Sequence, residues 1–412
     1  MAIQKTSSTH CLRVLYLCEP EESMKTLKLT KGAETRIQHG SLWGFSNEIE
    51  DLRRYTPGEI VAVENFHGNF LGTGYVNPHS LIALRIVSSA RVELNRDFFV
   101  SKLRECAALR DAVYGKPYYR LVHSEGDLLP GLVIDRYGDV FSVQVNTYGM
   151  DILTDAVTAA MKELFGDPVI ILKNDSASRK LEGLEQYVKC LTEGYDGLIT
   201  FEENGVKLQT NILTGQKTGY YFDQRENRKF IAPISKGKTV YDVFSYIGGW
   251  GLNALRHGAK SVTFVDASEP ALRHALDNVK LNGFAESTAE AIEADAVEYL
   301  KHMAQEGIRP DILVVDPPAY IKSKKTIKEG EKGYINLNKW AFKCLDSGSF
   351  LFTFSCSHHM ERSAFAAAVA KAARAAGKQY RILHEMQQGL DHPVNPHMAE
   401  TFYLKGLFIQ II

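Results

Sequence analysis

Four aspartates in the C-terminal half of this chain each fall at or just beyond the end of a short β-type run: Asp242 in VYDVF, Asp266 in VTFVDAS, Asp295 in AIEADA and Asp316 in ILVVDPPAY. Cys356 follows the next such run, SFLFTFSCS. Helical patterns separate the runs, so this half reads as a β-α repeat with a parallel sheet. Ligands of open α/β sheets bind beyond the carboxyl ends of the strands. Four acids and a thiol therefore face one crevice, and that points to an enzyme.

The remaining sequence sets bounds. At 412 residues the chain is too long for one ordinary core, and two or three domains are expected. A net charge of −1 gives no global attraction to nucleic acid, so any RNA contact must come from local basic patches. The six cysteines, at 11, 18, 106, 190, 344 and 356, show no C-x-x-C pair and no zinc spacing. That pattern suits a reducing cytosol and predicts a cytoplasmic protein without a metal. No apolar run approaches membrane-spanning length. The early CLRVLYLC is broken by Arg13 and followed by Glu19, Glu21 and Glu22, a poor signal peptide.

Four sections are expected. Residues 1–24 form an extension that matches no pattern and should be dispensable. Residues 25–92 carry short β runs such as GEIVAVEN and NFLGTGYV, divided by Gly, Pro and Asn turns, which suggests a small barrel. Residues 93–195 mix helix and strand: DFFVSKLRECAALRDAVY and MDILTDAVTAAMKELF read as helices, and GLVIDRYGDVFSVQVN as a hairpin with an Asp-Arg-Tyr-Gly-Asp connection. Residues 196–412 hold the β-α repeat.

Within that repeat, Asp242-Val-Phe-Ser-Tyr-Ile-Gly-Gly-Trp-Gly is a strand, a glycine turn and a helix start. Gly248, Gly249 and Gly251 let backbone approach a ligand, but the spacing is not that of the dinucleotide fingerprint. Asp266 ends the next strand, where an acid would hold ribose hydroxyls, and Asp295 is placed to accept from an adenine amino group. A lone glycine cluster is only a tight turn, and a lone Asp only a helix cap. Three acids at successive β-α junctions favour a nucleoside ligand with a positively charged centre.

The order glycine turn, ribose acid, adenine acid, then DPP resembles class I S-adenosylmethionine-dependent methyltransferases. The chain is more closely similar to the bacterial family of 23S rRNA cytosine-C5 methyltransferases with an N-terminal PUA domain. LPGLVIDRYGD, GQKTGYYFDQRENR, VDASEPALRHALDNVKLNG, VVDPPAYIKSKK, FTFSCS and DHPVNPHMAETFYLKG carry the match. The resemblance implies a Rossmann-like seven-stranded sheet with an antiparallel last strand, and S-adenosylmethionine as cofactor. It implies cofactor contacts at Gln224, Asp242, Gly248, Asp266 and Asp295, with Ser245, Tyr246, Gly249, Ser268 and Asp316 beside them. It also implies ribosomal RNA as partner, leaves a homodimer open, and makes the front section a PUA module. There Lys31, Arg36, His39 and Trp43 mix charge with an aromatic, as backbone contact and stacking require.

Cytosine C5 is too electron-poor to take a methyl group directly; a thiolate adding to C6 makes C5 nucleophilic. The reaction needs a cysteine, a group on N3 and a base for the C5 proton. Cys356, between two serines at a strand end, is the expected nucleophile, whereas Cys344, Cys106 and Cys190 read as core. Asp316 is placed to bond N3, and Tyr320 to stack on a flipped base. Many related enzymes release product with a second cysteine in the DPP segment; here Pro318 or Ala319 stands in that place. A non-thiol base is then required, with Asp391, His392 and Glu400 as candidates, while His358 and His359 either lower the thiol pKa or cap a helix. Two other readings stay open: an amino-methyltransferase using DPPAY, and an RNA-binding protein that kept its cofactor pocket without catalysis.

Overall fold

The computed structural model describes residues 24–412, so the extension over residues 1–23, with Cys11 and Cys18, lies outside the described residues. The small β unit expected at the front is a five-stranded sheet. Its strands run side by side in the order Lys25–Lys28, Glu59–Glu64, Phe70–Val76, Leu84–Ser88 and Trp43–Gly44. Leu27, Val61, Val63, Val76 and Leu84 fill one core.

A second five-stranded sheet spans Tyr118–His123 to Tyr187–Cys190, and Phe99, Leu103, Val157 and Met161 from helices Arg96–Tyr114 and Thr154–Phe165 pack on it. Two expectations need correction here. The hairpin connection is shorter than expected, because Leu132–Tyr137 carries Asp135 and Arg136 inside the strand. There Asp135 is fully buried against Arg120, whose Nε lies 2.5 Å from its carboxylate. The second helix is interrupted at Leu153, so a short turn Tyr148–Ile152 precedes it.

The C-terminal sheet has seven strands: β1 Thr239–Val243, β2 Ser261–Asp266, β3 Ala289–Glu293, β4 Ile312–Val315, β5 Phe350–Ser355, β6 Tyr380–Met386 and β7 Lys405–Ile411. Their spatial order is β3-β2-β1-β4-β5-β7-β6, and β7 runs antiparallel to both neighbours. Every residue of the central strand β4 is buried, as a parallel strand covered on both faces requires. The helix Glu269–Leu281 starts where Ser268 accepts from Ala271 N and Pro270 fills the first turn; it buries Ala271, Leu272, Ala275 and Val279 on one face.

The segment between β6 and β7 is a strap across the other units. Met398 enters the core of the front sheet. Asp391 accepts from the Arg120 amide through Oδ2 at 2.9 Å, and its carbonyl accepts from Arg110 at 2.9 Å. Asp391 and His392 are therefore buried structural groups, 2.8 Å apart, and neither faces the crevice. Glu400 is exposed on the strap and also lies off the crevice, so none of the three expected bases lines it.

Candidate active site

A cavity of about 550 Å³ opens at the carboxyl ends of the strands. One end is bounded by the turn after β1. Phe244 (φ 67°) and Tyr246 (φ 48°) both sit in the left-handed region, a strained arrangement for bulky residues that clusters at binding sites. Two contacts hold it: Tyr246 N donates to Asp266 Oδ2 at 2.9 Å, and its hydroxyl donates to the Gly219 carbonyl at 3.0 Å. Asp266 is the last residue of β2, and its other oxygen accepts from Ser268 N at 3.0 Å. Asp295 lies two residues beyond β3, where Oδ1 caps the helix Ala296–Glu306 through Val297 N and Glu298 N, both at 3.0 Å. Helix cap and cavity wall are here the same residue. Ser245 presents a buried hydroxyl without a hydrogen-bond partner to this end.

Not every expected contact reaches the cavity. Asp242 lies inside β1, one residue short of its end, and is fully buried. Its Oδ2 accepts from Gly251 N at 3.0 Å, bracing the glycine turn from beneath, and burial pushes its pKa up to about 7. Gly248 (φ +86°) faces Phe264, where an added Cβ would come within 2.9 Å. Ser268 caps its helix. These three shape the wall from behind, whereas Ser245, Tyr246, Gly249, Asp266 and Asp295 line it.

The other end holds Asp316 and Cys356. Asp316, the first residue after β4, accepts from Gln224 Nε2 at 2.9 Å. Burial, then the nearby Asp223 charge, pushes its pKa up to about 6. Cys356 follows β5, half-buried, with its sulfur 3.7 Å from the Pro317 carbonyl of the DPP turn. Burial raises the thiol to about 11, against a lowering influence from Lys217. His358 lines the cavity but its Nδ1 donates to the Glu400 carbonyl, 3.1 Å away, and His359 is exposed outside it.

Tyr320 is the clearest displacement. It does not line the cavity, where Ala319 does; its ring packs on Tyr334 at 4.8 Å. In the front unit Arg36, on the short helix Glu34–Gln38, is tied to Glu48 at 2.6 Å and stacked over Phe45, while Lys31 stays exposed. Trp43 donates to Glu125 at 3.0 Å, joining the front sheet to the second one. Cys344 and Cys106 are buried as expected, while Cys190 is only half-buried on an edge strand. Sequence reasoning missed Lys217, Tyr221, Asp223 and Tyr403 on the wall. The first three lie in GQKTGYYFDQRENR, whose dense mixture of charge and aromatic residues was the available signal.

Residues 27–89 match a PUA-like domain and residues 186–339 an S-adenosylmethionine-dependent methyltransferase domain. "Ribosomal RNA large subunit methyltransferase I" of Photobacterium profundum is 36% identical over 388 residues, covering 92% of this chain and 98% of that protein. The protein of the same name from Vibrio cholerae is 36% identical over 392 residues, covering 93% and 98%. A solved methyltransferase complexed with S-adenosylhomocysteine superposes with a TM-score of 0.81 at 22% identity, covering 94% of this chain and 100% of that one, which supports the fold. The carboxylate-rich cavity, the strained turn and the unpartnered Ser245 hydroxyl fit a cationic nucleoside cofactor. The chain belongs to the ribosomal RNA large subunit methyltransferase I family, with S-adenosylmethionine as its cofactor.

Proposed function

We propose that the protein methylates C5 of a cytosine in 23S ribosomal RNA through a covalent Cys356–C6 adduct. The observation that carries this reading is the Cys356 sulfur, 3.7 Å from the Pro317 carbonyl, on the wall of the cavity that also holds Asp266 and Asp295. A thiol beside the DPP turn has no role in methylating an exocyclic amine. That alternative also needs an aromatic clamp at the turn, and Tyr320 is packed away on Tyr334.

Asp266 would hold the ribose hydroxyls, Asp295 the adenine amine, and Ser245 and Gln224 the amino-acid end of the cofactor. S-adenosylmethionine supplies an electrophilic methyl group when bound. Cys356 and Asp316 then work as a pair sharing one proton. The thiol passes its proton to Asp316, the thiolate adds to C6, and Asp316, which its raised pKa equips as an acid near neutrality, delivers that proton to N3. The C5 so activated takes the methyl group.

RNA carrying 5-fluorocytosine tests this directly. Fluorine at C5 cannot leave as a cation, so the adduct persists on denaturing gels, depends on S-adenosylmethionine, and disappears in Cys356→Ala. Failure of the wild-type enzyme to form any adduct sinks the covalent mechanism.

A further inference from the structure

The covalent reading requires a base for the C5 proton, and the three strap residues expected for it face elsewhere. Asp223 lies in the short helical turn Phe222–Gln224 and is 7% exposed on the wall of the same cavity as Cys356 and Asp316. One carboxylate oxygen, Oδ2, accepts from the Tyr403 hydroxyl at 2.6 Å. The other, Oδ1, is buried and has no hydrogen-bond partner. A buried carboxylate oxygen without a donor is costly, and a catalytic role is one reason a native structure retains it.

We infer that Asp223 is the general base that removes the C5 proton and that Tyr403 is its positioning residue. This rests on the cytosine-C5 reading above. In the methylated adduct C5 carries both a hydrogen and the new methyl group. Asp223 Oδ1 takes the proton, and the C5–H electron pair becomes the C5=C6 double bond. The S–C6 bond breaks with its pair returning to Cys356 as thiolate, and the N3 proton returns to Asp316. Asp223 then loses its proton to solvent in the cavity.

The groups around it keep Asp223 in its ionised, proton-accepting form. Burial disfavours its charge, yet His392, Lys217, the Tyr403 hydroxyl and Arg120 together hold its pKa below the usual carboxylate range. Its charge in turn raises both Asp316 and Cys356. Two carboxylates in one cavity are thus pushed apart, one toward the acid form and one toward the base form, which is the pattern of paired acid and base roles. Lys217 comes from its own segment, Arg120 from the second sheet, Tyr403 and His392 from the strap.

Asp223→Asn should therefore stall after methyl transfer. With ordinary cytosine RNA and S-adenosylmethionine labelled in its methyl group, the variant should accumulate a gel-stable protein–RNA adduct carrying the label. Adduct decay should slow by about 10²-fold or more, the usual contribution of a general base. Tyr403→Phe keeps the carboxylate but removes the donor that favours its charge, so the acid limb of adduct decay should move to higher pH. Wild-type decay rates in Asp223→Asn, or an unmoved limb in Tyr403→Phe, overturn the assignment while fluorocytosine trapping of the wild type leaves the covalent reading standing. Loss of the first methyl transfer in Asp223→Asn without loss of fold places the residue earlier in the reaction and also overturns it. Absence of trapping in the wild type removes the covalent reading, and the base with it.

Discussion

The two ends of the cavity use the same residue type in opposite ways. At the nucleoside end, Asp295 is exposed and Asp266 half-exposed, and backbone amides already occupy part of each carboxylate. Those bonds aim the remaining lone pairs outward while water keeps the charge cheap. At the chemical end Asp223 and Asp316 meet the thiol in a drier setting, where burial and mutual repulsion move protons between them. On the proposed reading, the exposed, amide-braced acids hold the cofactor and the buried pair exchanges protons. Substitutions at the two ends should therefore separate into loss of chemistry and loss of affinity.

The largest effect is expected at Cys356→Ala. Methyl transfer should fall to background while calorimetry still finds S-adenosylmethionine binding, since the cofactor contacts assigned here do not use the thiol. Asp316→Asn should follow, with single-turnover methyl transfer reduced about 10²- to 10⁴-fold. Its pH profile is the sharper test. If the reactive state is the one with a single proton shared by Asp316 and Cys356, its population is constant between their pKa values, about 6 and about 11. Wild-type rates should then be flat above about pH 6 and fall below it, where both groups are protonated. In Asp316→Asn only the thiol titrates, so the rate should climb about tenfold per pH unit through neutrality. A flat profile in the variant would show that Asp316 does not share the thiol's proton.

At the nucleoside end the effect is smaller and of another kind. Asp266→Ala removes a charge-assisted hydrogen-bond pair worth about 1.5–3 kcal/mol. Cofactor affinity should drop roughly ten- to a hundredfold, while the rate at saturating cofactor stays near wild type. A fall in saturated rate comparable to that of Asp316→Asn would erase the distinction between the two ends.

The sequence displayed this division unevenly. The β-α repeat and the strand-end positions of Asp266, Asp295, Asp316 and Cys356 were legible because each depends on local pattern, an apolar run and the residues that follow its end, whereas the count of seven strands with an antiparallel last one came only with the family resemblance. Asp242 was misplaced by a single residue, since an apolar run does not reveal that β1 continues through Val243. Tyr320 packs on Tyr334 and leaves the wall to Ala319, a side-chain direction that a motif reading cannot register. The failures on the strap are of a different kind. Asp391 meets Arg120 across 271 positions and Tyr403 meets Asp223 across 180, contacts that no window of local sequence contains. Buried charge networks are set by those long-range pairings, so the sequence left Asp391 and His392 as open candidates for the base and did not bring Asp223 forward.

The last substitution should touch chemistry least and stability most visibly. Asp242 braces the glycine turn from a fully buried position, with one oxygen on Gly251 N and the other without a partner. Its folded-state pKa of about 7 lies above the ordinary carboxylate value, so between roughly pH 4 and 7 the folded protein holds a proton that the unfolded chain has released. Stability must then fall as pH rises through that window, because the native state binds more protons than the unfolded one. Asn keeps an oxygen for Gly251 N and carries no charge at any pH. Asp242→Asn should match wild type near pH 4 and exceed it at pH 8, by up to about 4 kcal/mol at roughly 1.4 kcal/mol per pKa unit. Thermal melts at the two pH values read this difference. A variant less stable than wild type at pH 8 would show that the carboxylate is charged and supported in the fold, and would move Asp242 from the buried class of acids to the braced one.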